Sequence, residues 1–308
     1  SVFGSVFNRT VSANLGMSYS VSNVLAEAGL SNIMSWVPFT IDEQTLRNRI
    51  KNKMIRPTTI PQTLDELQIE QAIAREALRL ALIHHKSLAT GLKGVQQERT
   101  ISDVFEQQTS GKTLIDMLKL DLIVGSGGIL SHAPRRIQSM LMMVDAYEPM
   151  GCTRLSVDSI FMMPHLGVLS TINEKAATDV FVRDCMVYLG TCVAPIGQGK
   201  DGDLCADYEI TWPDGKTTKE PLKFGELRLF PLESGKQATI KVQPAKGVNM
   251  GAGAGVAVTK EVHGGVVGLL LDGRGRPLRL PADQPGRVTA LTKWFNAVGL
   301  YPGPSIER

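Results

Sequence analysis

Leu120-Asp-Leu-Ile-Val-Gly-Ser-Gly-Gly-Ile-Leu-Ser-His-Ala-Pro134 couples a short apolar run to a glycine-rich turn and the start of a helix. The run Leu120 to Val124 reads as a buried parallel strand, since both its faces are apolar apart from Asp121. Gly125-Ser126-Gly127-Gly128 follow, and glycines let a backbone turn sharply and approach a ligand, because no Cβ stands in the way. Ser131 suits the cap of the next helix and Pro134 its first turn. Ile137, Met140, Leu141 and Val144 then repeat at i, i+3, i+4, i+7, one helix face. Thr153 to Val157 reads as a second strand and closes a βαβ unit. The two strands are expected side by side and parallel, with those four side chains on the sheet. Ligands of open α/β sheets collect at the carboxyl ends of the strands, which makes the glycine turn a candidate nucleotide site.

The 308 residues are enough for two domains and a sizeable core. An apolar content of 43% and a charged content of 20% are ordinary for a globular protein. A net charge of +3 gives no concentrated basic face, so nucleic acid is not an expected partner. No apolar run approaches the ~18 residues that a membrane span needs, and the opening residues lack the basic start of a signal peptide. Cys152, Cys185, Cys192 and Cys205 show no CxxC spacing and are expected as reduced thiols in a cytoplasmic protein. Ser1-Val-Phe-Gly-Ser-Val-Phe7 begins in mid-strand with Gly4-Ser5 as a hairpin turn. Such a start is expected of a piece whose preceding strand lies elsewhere, leaving a strand edge near Val2 to Phe7 open to homodimer formation.

Further along, Ser18 or Ser20 is placed to cap a helix carrying Val21, Val24, Leu25 and Ala28, with Gly29 as its stop. Residues 31 to 62 give a mixed pattern broken by Pro57 and Pro61. Thr63 and Glu66 form a capping box for the longest predicted helix, which runs to about Ala89 with Ile69, Ile73, Ala77, Leu80 and Ile83 on one side. A short helix is predicted near Pro164 to Thr171. From Tyr188 to about Pro281 the texture changes to short strands with turns at Pro213-Asp-Gly215, Glu233-Ser-Gly235, Ala245-Lys-Gly247 and Asp272-Gly-Arg-Gly275. This spacing predicts a small β-barrel or sandwich separate from the α/β part, with Val193, Tyr208, Ile210, Leu229, Ile240, Val256, Val258 and Leu270 in its core. A last helix, Arg287 to Val298, stops at Gly299. The division is therefore 1–187, α/β, and 188–308, β-rich with a terminal helix.

Several motifs fail on inspection. Thr109-Ser-Gly-Lys-Thr113 has Glu106 where a P-loop needs glycine. Gly251-Ala-Gly-Ala-Gly255 lacks the GxGxxG spacing and any helix after it. His84-His85 has no third ligand at zinc spacing. Glu261-Val-His263-Gly-Gly-Val266 is a near miss to the DxHxxG cobalamin signature, with Glu for Asp and Val266 for glycine. Arg135 and Arg136 lie in a helix's first turn, where the macrodipole disfavours cations, and so hint at an anionic neighbour.

Gly125-Ser-Gly-Gly-Ile-Leu-Ser-His-Ala-Pro134, Asp145-Ala146, Asp158 and Pro164-His-Leu-Gly167 together resemble the MutL (GlmL) accessory proteins of cobalamin-dependent glutamate mutase, a family unrelated to mismatch-repair MutL. Phe7 to Ser20, Gly264-Gly-Val-Val-Gly268 and Asp272 to Pro277 fit the same family. The resemblance implies an actin-like (ribonuclease H-like) ATPase fold in the first part, with DnaK-type chaperones, sugar kinases and hydantoinases as distant relatives. It implies ATP and Mg²⁺ as ligands, mutase subunits as partners, and ATP-driven reactivation of the mutase by expulsion of damaged cofactor. By the resemblance Gly125, Ser126, Gly127 and Gly128 form the adenosine motif, with His132 beside it. Gly16, just ahead of a helix, is a candidate phosphate contact by its backbone, and Gly167 would permit close packing at an interdomain hinge. The superfamily's two phosphate motifs, each with Asp, Gly and Thr, do not occur in these residues, so the catalytic residue is not assigned and this chain alone is expected to be an inactive ATPase. A hydantoinase- or oxoprolinase-type amidohydrolase subunit and an inert interaction module are the alternatives.

Overall fold

The structure is a computed structural model that describes residues 2–3, 6–7, 9–12, 14–89 and 114–302. The chain opens on a two-stranded antiparallel hairpin, β1 (Val2–Phe3) and β2 (Val6–Phe7), registered Val2 to Phe7 and Phe3 to Val6. Among the described residues this hairpin is its own two-stranded sheet and pairs with no other strand. Four helices follow: α1 (Val21–Ala28), α2 (Leu30–Ser35), α3 (Glu43–Ile55) and α4 (Leu64–Leu88). Ser20 flanks α1 without a side-chain bond, and Gly29 ends it with φ at 78°. The mixed region holds two of these helices. Asp42 starts α3 by accepting from the Thr45 backbone N–H, a cap hidden in a polar stretch. Thr63 and Glu66 form the expected capping box on α4. Ile69, Ile73, Ala77 and Leu80 are buried along it, whereas Ile83 is exposed near its end. The P-loop look-alike at 109–113 lies outside the described residues.

The central unit comes next. β3 (Leu122–Gly125) runs parallel to β4 (Gly151–Asp158), from Leu122 beside Arg154 to Gly125 beside Val157. Between them lie the short helix α5 (Gly128–Ser131) and α6 (Arg136–Tyr147), and Ile137, Met140, Leu141 and Val144 of α6 are buried in the main core. Two local expectations are corrected. β3 is an edge strand, half-covered and with Leu122 exposed, because the sheet adds strands on the β4 side alone. Ser131 does not cap α6; its hydroxyl donates to the Asp158 carbonyl, and Pro134 lies ahead of the cap position, Arg135. Two helices, α7 (Met163–Ser170) and α8 (Glu174–Val180), then lead through a π turn into β5 (Met186–Ala194).

The β-rich segment contains β6 (Leu204–Thr211), β7 (Thr217–Lys223), β8 (Leu227–Phe230), β9 (Gln237–Pro244), β10 (Val258–His263) and β11 (Gly268–Asp272), before α9 (Gln284–Ala297). Its strands divide between two open sheets. One is five-stranded, ordered β3-β4-β5-β11-β8; the other is antiparallel, ordered β10-β9-β6-β7. The texture change at Tyr188 therefore falls inside β5, which pairs antiparallel with β4 and parallel with β11. The segment is not separate from the α/β part, and neither sheet closes into a barrel. The reason lies in β5 and β11, which are buried on both faces. Cys192, Ala194 and Leu270 point into the core shared with the helices, while Val193, Leu269 and Leu271 point into the core shared with Tyr208, Ile210 and Ile240 of the second sheet. A strand apolar on both sides needs a layer on each. Helices, five-stranded sheet and four-stranded sheet thus form three layers. Of the expected core residues, Leu229 and Val258 are partly covered and Val256 is exposed, because it lies in the connection before β10.

A buried ion network joins the helices to the sheet. On α4, Arg75 Nε donates to Asp145 Oδ2 of α6 at 2.7 Å. Arg274, in the turn after β11, reaches Asp145 at 2.8 Å and makes a two-pronged contact with Asp272 at 2.9 and 3.0 Å. Arg276 donates to Asp272 at 2.8 Å and to the Pro149 carbonyl at 3.1 Å. The Asp272-Gly-Arg-Gly275 turn thus folds a carboxylate back onto the arginines that follow it. Burial alone would raise the Asp272 carboxyl, but Arg274 and Arg276 outweigh it and hold that group well below the carboxylate range.

Asp272→Asn should therefore cost about 3–5 kcal/mol in denaturant unfolding, since it strands two buried guanidinium groups. Because the folded pKa is depressed, the Asp272 contribution is complete above about pH 4 and is lost as pH falls further. Acid unfolding curves should accordingly be steeper for the unaltered protein than for the variant. A stability change below about 1 kcal/mol would show that the network does not hold the layers.

Candidate functional site

The glycine turn sits where the helical layer meets the carboxyl end of β3, and each of its residues has a distinct role. An added Cβ at Gly125 would lie 2.8 Å from both Leu130 Cδ1 and Met143 Sδ, so this glycine is required by packing inside the protein. Ser126 Oγ lies 3.5 Å from Asp158 Oδ2. Gly127 has φ at 108°, a conformation that favours glycine, and nothing lies within 4 Å of its Cβ position. Gly128 is likewise open on its Cβ side. Asp158 joins the turn to α7: its carboxylate accepts from the backbone N–H groups of Met162 and Met163 at 3.1 and 2.9 Å and so holds the start of that helix.

Beside the turn a cleft of about 930 Å³ separates α5 and the start of α6 from the segment leading into α4. Gly128, Ile129, His132, Pro134 and Arg135 line one side; Ile60, Thr63, Leu64, Leu67 and Gln71 line the other. Met17 and Ser18, next to Gly16, and Pro302 complete the wall. The lining is mostly apolar with a few converging polar groups, the usual make-up of a small-molecule site in this size range. Its charges are restrained. Lys53 pairs with Glu70 at 2.9 Å, both largely buried, and a smaller hollow of about 450 Å³ opens beyond that pair. Arg135 donates to the Gly299 carbonyl at 2.6 Å and Arg136 to the Ser131 carbonyl at 2.7 Å. The two arginines therefore find backbone oxygens, where the sequence had pointed to an anion.

Of the residues marked by sequence, the structure brings Gly128 and His132 to the cleft and sets Gly125 and Ser126 behind it. Gly16 stands one residue from the wall, where an added Cβ would meet Ser20 at ordinary contact distance. Gly167 has nothing within 4 Å of its Cβ position, so no close packing requires it. Gln71, Gln138 and Lys53 were not marked, although a glutamine such as Gln71 amid a buried helical face, beside Ala72 and Ile73, is itself a signal. The cysteines are all free thiols. Burial pushes Cys152 up to about 11 and Cys192 and Cys205 up to about 12, so none is poised as a nucleophile. His84 pairs with Glu27, and the His263 ring meets Gln237, away from any metal cluster. Among the described residues no group of three His, Cys, Asp or Glu side chains converges to hold a metal ion. No helix among them is long and apolar enough to cross a membrane.

The sequence pattern of the family described as MutL protein matches residues 2–185. That span takes in α1 to α6, the glycine turn, Asp158 and both α7 and α8, but not α9. No curated protein and no solved structure matches the chain.

The roles of the glycines can be separated by stability. Gly125→Ala should cost about 1–3 kcal/mol, because Leu130 and Met143 are fully buried and have little room to yield. Gly128→Ala should stay within about 0.5 kcal/mol of the parent or gain slightly, since a helical first turn favours alanine. Equal effects of the two in thermal and denaturant unfolding would remove the distinction.

Proposed function

Given that the chain belongs to the MutL protein family, the accessory family of glutamate mutase, we propose that the cleft beside Gly128 holds the adenosine part of ATP and that nucleotide exchange there drives reactivation of a cobalamin-dependent mutase. The observation that carries this reading is the cleft itself. Its volume suits a nucleoside, it lies at the carboxyl end of a parallel strand, and Gly128 presents backbone with no Cβ toward open space.

In this reading Ile129, Leu64, Leu67 and the prolines cover the faces of the base, and His132 and Arg135 flank the rim. Asp158 links the turn to α7, so a shift of the turn on binding is transmitted to the α7–α8 pair. ATP supplies the free energy, through the difference in its binding and that of its product to the two arrangements. Among the described residues no cluster of donors makes a metal site, and Mg²⁺ in nucleotide complexes is carried mainly by the phosphates. With no phosphate motif in the sequence, this chain holds only the adenosine side of the ATPase proposed for the family. Mutase subunits are the proposed partners.

Calorimetric titration with ADP should give a defined dissociation constant, and Gly128→Val should raise it at least tenfold, about 1.4 kcal/mol, in a protein of unchanged stability. Phosphate release by this chain alone should stay at background. No binding of ADP or adenosine, or an unaltered constant in the folded Gly128→Val variant, would move the site elsewhere. Robust hydrolysis by this chain would overturn the assignment to the adenosine side alone.

A further inference from the structure

Three glutamines line the cleft; Gln62 is exposed, and the two buried ones, Gln71 and Gln138, differ in one respect. Gln138 has both ends of its amide engaged: its oxygen accepts from the Arg135 backbone N–H at 3.3 Å, and its nitrogen donates to the Leu300 carbonyl at 3.1 Å. Gln71 has only one. Its Oε1 accepts from the Tyr301 hydroxyl at 2.7 Å, while its Nε2 is buried and has no partner. Of the residues that line the cleft, Gln71 is the one whose buried side-chain donor stands unpartnered among the described residues. Native proteins rarely leave such a group unmatched, because it has given up water for nothing in return.

The surroundings fix which end of the amide is free. The Tyr301 hydroxyl donates to Gln71 Oε1, which leaves Nε2 as the free end, and the nearby Arg75 charge favours that orientation of the hydroxyl. Arg75 Nη1 also donates to the Gln71 carbonyl at 3.1 Å, which holds the backbone at that turn of α4. Tyr301 itself is packed edge-on against Phe295, with ring centroids 5.6 Å apart. Backbone and oxygen are thus both anchored, which holds the amide plane in place and leaves the Nε2 hydrogens as its unmatched donors.

We propose that Gln71 is the residue that reads the base in this cleft, presenting its side-chain N–H to an unprotonated ring nitrogen of a purine. The proposal rests on the nucleotide reading given above. An entering ring nitrogen matches the donor, whereas a carbon at the same position leaves both partners without a bond. Selectivity of this kind comes from penalising the wrong ligand as much as from rewarding the right one.

The test is calorimetric titration of the protein with ADP and with its 1-deaza, 3-deaza and 7-deaza analogues. For the unaltered protein, one analogue is expected to bind about tenfold or more weakly than ADP and the other two within about threefold. Gln71→Leu, similar in volume, should weaken ADP by the same factor and abolish the difference for that analogue. Tyr301→Phe keeps the ring packing but releases the amide oxygen; it should reduce the same discrimination and so tests the idea even if Gln71→Leu fails to fold. Equal binding of ADP by folded Gln71→Leu, or equal binding of all three analogues to the unaltered protein, overturns the role of Gln71 while leaving the nucleotide site standing. If the unaltered protein binds no adenine nucleotide, the site reading falls and this assignment with it.

Discussion

The Asp145 and Asp272 side chains sit without solvent exposure among Arg75 of α4 and Arg274 and Arg276 of the turn after β11, and this ion network is what aligns the helical layer on the five-stranded sheet. Charges in such a place are costly to bury, so the network is not evidence of high stability; its significance is that removing any one member leaves others uncompensated. Flat aromatic faces complete it. Arg75 lies over Trp36 and Phe295 at 5.6 and 5.5 Å, and Arg274 over Trp294 at 5.1 Å. Guanidinium groups suit this position because they stack and hydrogen-bond at once.

The cleft inherits its geometry from that network. Gln71 is one helical turn before Arg75 on α4, and Gln138 is two turns before Asp145 on α6, so the 2.7 Å Arg75–Asp145 contact holds the two cleft-lining helices together behind the site. Pro302 closes the remaining side, placed there by the bonds of Gly299, Leu300 and Tyr301 to Arg135, Gln138 and Gln71. The far end of the chain is thereby part of the wall of a cleft whose other walls come from residues 17–138. Ligand binding there would be felt by α9 and by the turn after β11, both of which reach the same buried charges.

Much of the α/β unit was legible in the sequence because its signals are local. An apolar run, a glycine turn and a 3.6-residue periodicity are each set by the nearest neighbours in the chain, and they located β3, α6 and β4 to within a few residues. The Thr63–Glu66 capping box and Gly29 are of the same kind. α3 was not legible, since its Asp42 cap precedes a helix with only Leu46 and Ile50 buried and therefore little periodicity. Nor was the partition of the β-rich strands. β5 and β11 look like β6 or β9 in sequence, apart from being apolar on both sides, and nothing local says which strand they pair with.

The sequence by itself determined which segments form strands and helices, where the backbone needed glycine, and the family to which those motifs belong. Tertiary structure alone decided that Gly125 is a packing residue while Gly128 faces open space, and that Asp272 turns back onto Arg274 and Arg276. It alone brought Gln71, Gln138 and Tyr301 around one cavity from positions up to 230 residues apart. The physical reason is range. Backbone conformation and periodic burial are governed by neighbours a few residues away, whereas a donor left unpartnered or a charge buried in a pair is defined only by what the folded chain places next to it.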